Sequence, residues 1–431
     1  MRITHYIYRA FAAAALFTFA TAPAQTTVDD IAATPGKAGG VYYAYPVSSS
    51  LNTAPPEGYK PFYISHYGRH GSRYLISDED YTVILDRLKD AAAHDALTPL
   101  GIDLMNRLDT VWQEARGRGG ELSPLGYRQH RAIARRMYEA FPEIFTDGAD
   151  IKASSTVVMR CAHSMFAFIE GLKEQNPRLE IPRESSRRNM YFLNYYSPES
   201  GPMSGHDGPW YQTWKRYRRE HTNPDRLIGT IFSDSTYVGR WIDPVEFAWQ
   251  LYWVAVDMQN METRQTFTGL FTPQELFDMW KVFNFNFFAC NSNYAPAAGV
   301  FVANASNLVR DIVDEADRSI ASGTHGATLR FGHDGNIIPL AALLRLPGAF
   351  TDETDPDRLA EVWNDYAISP MAANVQIVFF RNDSGDVIAK IMLNERETSV
   401  PVESDILPFY HWNDLRHYLT DICKAAEDIT D

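Results

Sequence analysis

The stretch that decides the fold is Phe62-Tyr63-Ile64-Ser65-His66-Tyr67-Gly68-Arg69-His70-Gly71-Ser72-Arg73. Phe62 to His66 reads as a short buried strand, because apolar and aromatic residues run together without a helical period. It delivers a histidine between two arginines, beside glycines that let the backbone turn tightly. Guanidinium groups match phosphate oxygens in charge and in fork geometry. An imidazole held among them can attack phosphorus and form a covalent intermediate. The plain alternative is a histidine that only satisfies a strand end. The rest of the chain has to supply the other parts of a phosphoryl-transfer site for the first reading to stand.

Downstream, Thr98-Pro99-Leu100-Gly101 and Ser123-Pro124-Leu125-Gly126 each place a hydroxyl at an N-cap and proline at the first helical position. The second helix runs through Arg128, Gln129 and His130 to about Phe141. Ile151-Lys152-Ala153 reads as a second strand, and Ser154 or Ser155 as the cap of a helix with apolar residues at Val158, Cys161, Met165, Phe168 and Leu172. Arg160 lies near the start of that helix, where the dipole disfavours a cation. It is either a ligand for an anion held at that helix end or a surface arginine.

From Arg183 to Ser306 aromatic residues crowd in and strand signals thin out, which predicts a mostly helical cap inserted over 183–306. Its basic clusters, Arg183, Arg187, Arg188 and Lys215, Arg216, Arg218, Arg219, either line a polyanion pocket or form solvated helix faces. Strand-like alternation returns at Ala327–Phe331, followed by Gly332-His333-Asp334-Gly335 and a helix over Ile337–Leu344. Asn374–Phe380 and Val387–Leu393 flank Asp383-Ser384-Gly385, a hairpin signal. The pattern predicts an α/β sheet domain, 61–182 with 307–431, carrying the cap. In such sheets ligands gather at the C-terminal strand ends. Gly-His-Asp-Gly also occurs at 205–208, but no strand precedes that copy, so His206 and Asp207 read as turn residues. His333 and Asp334, between strand and helix, are the pair assigned to the site: an Asp beside a phosphate-binding His can protonate a leaving alcohol.

The whole chain sets bounds. Residues 1–24 read as a secretory signal: Arg2 and Arg9, an apolar stretch Phe11–Phe19, then Ala22-Pro23-Ala24. The stretch is too short for a membrane anchor, so the expected location is periplasmic or secreted. Residues 25–60 read as an extended lead-in. The 431 residues carry 40 Lys+Arg against 54 Asp+Glu, a net charge of −14. Loss of the leader's two arginines takes it to −16. That argues against a nucleic acid or anionic membrane as partner and leaves a small anionic substrate open. Three cysteines, Cys161, Cys290 and Cys423, exclude a disulfide scaffold and allow at most one bridge. With 23 Tyr and 24 Phe there is material for a large core. No cluster with metal-ligand spacing stands out, so neither metal nor cofactor is expected.

Together these residues resemble the histidine acid phosphatases, the clade of phytases and multiple inositol polyphosphate phosphatases. Arg69-His70-Gly71-Ser72-Arg73 matches the family's signature of arginine, histidine, glycine, any residue, arginine. Ala153-Ser154-Ser155 with Arg160-Cys161 looks like the segment carrying a third phosphate-binding arginine. Glu121 to His130 resembles the helix between these, His333-Asp334 the downstream pair, and Leu393-Asn394-Glu395 the closing strand motif. The likeness runs from about Pro61 to the C-terminus and is weakest across 183–306. Leu75 stands where members often have proline, and His333-Asp334-Gly335 where inositol polyphosphate phosphatases often have histidine–alanine–glutamate.

The resemblance implies a phosphoglycerate-mutase-like sheet with helices on both faces and an inserted cap. It implies His70 as nucleophile, Asp334 as proton donor, and Arg69, Arg73, Arg160 and His333 as phosphate ligands. The implied substrate is phytate or another inositol polyphosphate, hydrolysed at acidic pH, with Arg183, Arg187, Arg188 and Lys215 as pocket residues. The other readings are a broad acid phosphatase acting on sugar phosphates, a non-catalytic phosphoester-binding protein, and a mutase of the related group, which makes little sense for an exported protein.

Overall fold

The computed structural model describes residues 25–46, 52–194 and 196–430; the expected signal at 1–24 lies outside the described residues. Eight strands form one sheet: β1 (Lys60–Arg69), β2 (Asp150–Ser155), β3 (Arg183–Ser185), β4 (Gly326–Gly332), β5 (Asn374–Arg381), β6 (Val387–Leu393), β7 (Arg396–Thr398) and β8 (Phe409–His411). Their order is β3-β2-β4-β1-β5-β6-β7, with β8 also on β6. β3, β2, β4 and β1 run parallel, and β5 joins β1 antiparallel. The C-terminal ends of β1, β4 and β2 therefore share one edge, where Arg69, Gly332 and Ser155 emerge.

Register follows the pleat. Ile151, Ala327, Ile64 and Val378 lie side by side across four strands and face one core. The Pro124–Ala140 and Met159–Gln175 helices cover that face with Ile133, Met137, Met165, Phe168 and Leu172. Alternate residues, among them Tyr63, Tyr67, Ile377, Phe379 and Ile391, face the opposite core. There the Ser306–Ser322 and Trp412–Thr430 helices pack with Leu308, Ile312, Leu415 and Leu419. A sheet with both faces covered buries side chains of both parities, which is why its strands read as continuous apolar runs. Fully burying each Ile or Phe contributes roughly 1.5–3 kcal/mol.

The two Pro-Leu-Gly helices form as their caps predict. Thr98 Oγ1 accepts from Gly101 N at 3.1 Å and Ser123 Oγ from Gly126 N at 3.4 Å. The hairpin forms too, with Gly385 at φ 86° in its turn.

Three expectations change. Residues 25–46 are not extended: Thr27 and Asp30 cap each other at the start of a Val28–Ala33 helix, and a 3-10 segment Pro35–Tyr42 follows. Ile31, Ala38 and Val41 are fully buried and anchor it. Ser154 and Ser155 do not cap a helix. They remain in β2, and Thr156 N bonds Phe331 O at 3.0 Å, so the helix starts only at Met159. Arg183 is sheet rather than cap, because β3 pairs with β2 through Ala153↔Arg183. Between β3 and β4 the described segments are helical, the longest being Pro273–Asn291, Ser306–Ser322 and Pro244–Asp257. All three cysteines are free thiols. No helix among the described residues is long and apolar enough to cross a membrane.

Candidate active site

Where β1 ends, the chain turns against the start of the Pro124–Ala140 helix. A Cβ on Gly71 would lie 2.7 Å from the Gly126 Cα, and one on Gly126 would lie 2.3 Å from Ser72 O. Both glycines are therefore demanded by backbone-to-backbone approach. Ser72 N donates to Gln129 Oε1 at 2.8 Å, and Ser123 N donates to Ser72 O at 2.9 Å, which pins the turn to that helix. Gly126→Ala should lower stability by about 2–3 kcal/mol, because neither backbone can yield. A urea midpoint unchanged from wild type would show that the turn can move.

The pinned turn fixes three motif side chains. Arg69 is fully buried. Its Nη1 donates to Val41 O and, at 2.8 Å, to Ser369 O, while Nη2 donates to Asp334 Oδ2 at 2.7 Å. His70, also buried, has Nδ1 2.9 Å from Gly71 O. A carbonyl can only accept, so the proton is assigned to Nδ1 and Nε2 keeps its lone pair. Arg73 Nη1 donates to Tyr74 O at 2.8 Å and Nη2 to Tyr42 OH at 3.0 Å.

The other half comes from β4 and the Met159–Gln175 helix. His333 is the N-cap of the Asp334–Leu343 helix, and its amide donates to Tyr67 OH at 3.2 Å. Its Nε2 is 3.3 Å from Thr156 Oγ1, and its ring centroid is 5.8 Å from that of His70. Asp334 opens the helix, with Oδ1 accepting from Gly335 N at 2.8 Å. Arg160 lies in the first turn of the Met159–Gln175 helix. His70, Arg73, Arg160, His333 and Asp334 all line one cleft of about 410 Å³. Residues from three separate strand ends thus meet in one place, as the edge topology requires.

The charges of this cleft set the protonation states. Burial, then Arg69, Arg160, Arg73 and His333, drive the His70 imidazole well below its usual range. Burial and Arg160 push His333 down to about 3. Both imidazoles are therefore neutral at mildly acidic pH. Burial raises the Asp334 carboxyl, but Arg69, His333, Arg73 and the Gly335 amide outweigh it and leave it below the usual aspartate range. The Nε atoms of Arg69 and Arg73 are buried donors without a hydrogen-bond partner among the described residues.

Sequence reasoning missed part of this arrangement. Tyr42, Trp253, Phe283 and Phe287 also line the cleft. Asn260 ties it together: Ser72 Oγ donates to its Oδ1 at 2.7 Å, and its Nδ2 donates to Tyr42 O at 2.8 Å. Asp257, one turn earlier and fully buried, accepts from Tyr81 OH at 2.9 Å, and burial lifts its carboxyl to about 7. No local pattern distinguishes these residues from the many other aromatic and polar residues of the helical segment.

The basic clusters go elsewhere. Arg183 and Arg188 line a separate cavity beside β2 and β3, where Arg188 pairs with Glu184 at 2.7 Å. Arg187 is exposed, and Lys215 lines a third pocket with Arg216, Arg218 and Arg219. None of the four lines the cleft of His70, so their expected pocket role is corrected. Arg183 is held in β3 at the sheet edge, two strands from β4, and Lys215 lies on the Tyr211–Glu220 helix. His206 and Asp207 fall in a turn, where His206 stacks on Tyr211. Asn394 and Glu395 serve the framework: both have left-handed φ, and Glu395 takes a bidentate bond from Arg136.

No family model and no curated protein matches the sequence. Solved structures do. The Bifidobacterium longum multiple inositol polyphosphate phosphatase, in complex with inositol hexasulfate, matches with a TM-score of 0.71 at 20% identity, over 89% of this chain and 97% of that one. The phytase from D. castellii matches with a TM-score of 0.64 at 14% identity, over 90% and 85%. At these identities the likeness concerns the fold, and the α/β fold expected from the Arg-His-Gly run is the one found: this chain has the fold of an inositol polyphosphate phosphatase and a phytase.

Proposed function

We propose that this protein hydrolyses phosphomonoesters through a phosphohistidine formed on His70. The observation that carries the reading is one hydrogen bond in one setting. His70 Nδ1 is committed to Gly71 O, which leaves Nε2 as the nucleophilic atom in a cleft shared with Arg73, Arg160, His333 and Asp334. The buried Nε of Arg73, a cleft-lining residue, has no hydrogen-bond partner among the described residues and supports a site for an acceptor-rich anion.

In the first step Nε2 attacks phosphorus, the P–O ester bond breaks, and Asp334 gives its proton to the departing alcohol. In the second, Asp334 takes a proton from water, the water oxygen attacks phosphorus, and the P–N bond breaks. Arg73, Arg160 and His333 hold the phosphoryl oxygens, and Arg69, buried beside Asp334 and outside the cleft lining, adds its charge from behind them. A binding protein would need neither the free Nε2 nor a carboxyl beside it. The export expected from residues 1–24, to the periplasm or the medium, belongs to the same proposal.

The low proton affinity of Asp334 in the free protein bears on pH. Asp334 meets the substrate as a carboxylate, so the proton for the leaving group arrives with the phosphate monoanion. The phosphate charge that enters the cleft beside Asp334 then raises its proton affinity. The reaction is thus expected at acidic pH. The alkaline limb of kcat/KM should follow the second ionisation of the substrate, near pH 6 for alkyl phosphates. Phosphate release between pH 4 and 8, from two esters with different second ionisations, checks this. A limb that stays put when the ester changes, or a rate still rising through neutral pH, would exclude this route for the proton.

The fold shared with the two solved phosphatases makes inositol polyphosphates one substrate class to test. The aromatic lining of the cleft favours a second class, sugar phosphates and similar monoesters.

A further inference from the structure

The phosphate-binding side chains take up one side of the cleft, and the other side is aromatic. Tyr42 and Trp253 have ring centroids 5.8 Å apart, Trp253 and Phe283 4.7 Å, and Phe283 and Phe287 4.8 Å. Phe283 is buried, whereas Tyr42, Trp253 and Phe287 are half-buried and keep part of their rings open to the cleft. Arg73 joins the two sides: its guanidinium lies 4.7 Å over the Tyr42 ring and bonds its hydroxyl. The aromatic side thus begins next to the phosphate position, where a leaving group would lie.

Charge is distributed in the same way. The arginines that line the cleft are Arg73 and Arg160, both of the phosphate-binding set. Among the described residues the remaining lining includes no lysine and no further arginine, and Asp80 adds a carboxylate. A second and third phosphate group on the same substrate would enter this region without a counter-charge, at a desolvation cost. A ring with an apolar face would instead displace water from Trp253 and Phe287 and gain contact with them.

Building on the phosphohistidine reading above, we infer that this cleft selects monoesters carrying one phosphate on a hexose or aryl ring, with Trp253 and Phe287 as specificity-determining residues, and that it disfavours inositol hexakisphosphate. Inositol hexakisphosphate would carry five further phosphates against this wall without a counter-charge, so its ring could reach Trp253 and Phe287 only by desolvating those phosphates.

The test compares kcat/KM on p-nitrophenyl phosphate, glucose 6-phosphate, glycerol 2-phosphate and inositol hexakisphosphate for the wild type, Trp253→Ala, Phe287→Ala and Phe287→Leu. Each variant is compared with wild type on the same ester, so leaving-group reactivity cancels. The alanine variants should lose about tenfold on the ring monoesters, mainly through KM, and no more than about threefold on glycerol 2-phosphate. Phe287→Leu, which keeps an apolar side chain without the ring, should fall between. A loss confined to the sugar or to the aryl ester supports the assignment and names the ring recognised. Equal loss on all four esters, or a wild-type preference for inositol hexakisphosphate, overturns it. If no ester is turned over, the phosphohistidine reading fails separately. Calorimetry then still tests the wall: glucose 6-phosphate should bind more tightly than inorganic phosphate, and Trp253→Ala should remove that difference. Equal binding of the two by the wild type overturns the inference.

Discussion

His70→Ala should abolish phosphate release, lowering kcat by at least about ten-thousandfold. The argument is geometric. Gly71 O orients the imidazole through Nδ1, and burial, with Arg69, Arg160 and Arg73 beside the ring, lowers its proton affinity and so favours an unprotonated Nε2. Cys161 does not substitute: it is buried, donates to Gly332 O, and burial pushes its thiol up to about 11. The variant should still fold, because alanine leaves the Gly71–Gly126 contact and the Ser72 bonds intact. Matching circular dichroism spectra and urea midpoints check that. Phosphate labelled in the substrate should appear on wild-type protein after rapid alkaline denaturation, which preserves the acid-labile P–N bond, and should be missing from the variant. A variant that keeps one part in a hundred of the wild-type rate would take the nucleophile's role away from His70.

Asp334→Asn carries the second large effect, and its size depends on the leaving group. An alkoxide leaves poorly without a proton, so kcat on glycerol 2-phosphate should fall about 10²–10³-fold. The p-nitrophenolate ion leaves well unprotonated, and kcat on p-nitrophenyl phosphate should fall by no more than about tenfold. Asparagine is close to isosteric and its carbonyl can still accept from Arg69 Nη2, which now holds the carboxylate at 2.7 Å. Arg69 is also fixed by Val41 O and Ser369 O, so the phosphate-binding side should keep its shape. Burst kinetics on the two esters separate this from a defect in dephosphorylation. An equal loss on both would make Asp334 a positioning group for Arg69 and not a proton donor.

How legible each feature is in the amino-acid sequence depends on its range along the chain. The Arg69–Arg73 run, the capped helices at Pro99 and Pro124, and the strand that leads into His333 all declare themselves through residues within a few positions of one another. A cap needs a hydroxyl three residues from an amide, and a buried strand needs a run of apolar side chains. That local information is enough for an α/β sheet bearing His70, Arg160, His333 and Asp334 near strand ends, since parallel strands bring their C-terminal ends to one edge. The local reading fails where a competing long-range contact wins. Ser154 and Ser155 look like caps, but pairing with β4 keeps them extended. The Pro- and Gly-rich lead-in reads as extended, but burial of Ile31, Ala38 and Val41 folds its first part onto the core.

Neighbouring residues alone thus declare the parts of the candidate site, an imidazole between two arginines in one run and a His-Asp pair in another. They settle the sheet too, because periodicity and capping are properties of adjacent positions. Which side chains line the cleft of His70 is decided by packing in three dimensions. Tyr42 precedes Trp253 and Phe287 by more than 200 positions, and packing of the core brings all three to the cleft that Arg73 lines. The basic clusters, conspicuous in the sequence, are left outside because β3 holds Arg183 at the sheet edge and the Tyr211–Glu220 helix holds Lys215 beside its own basic neighbours. Composition shows how many cations and rings a chain owns. Their placement around one cleft depends on contacts between residues far apart in the chain, which no local pattern encodes.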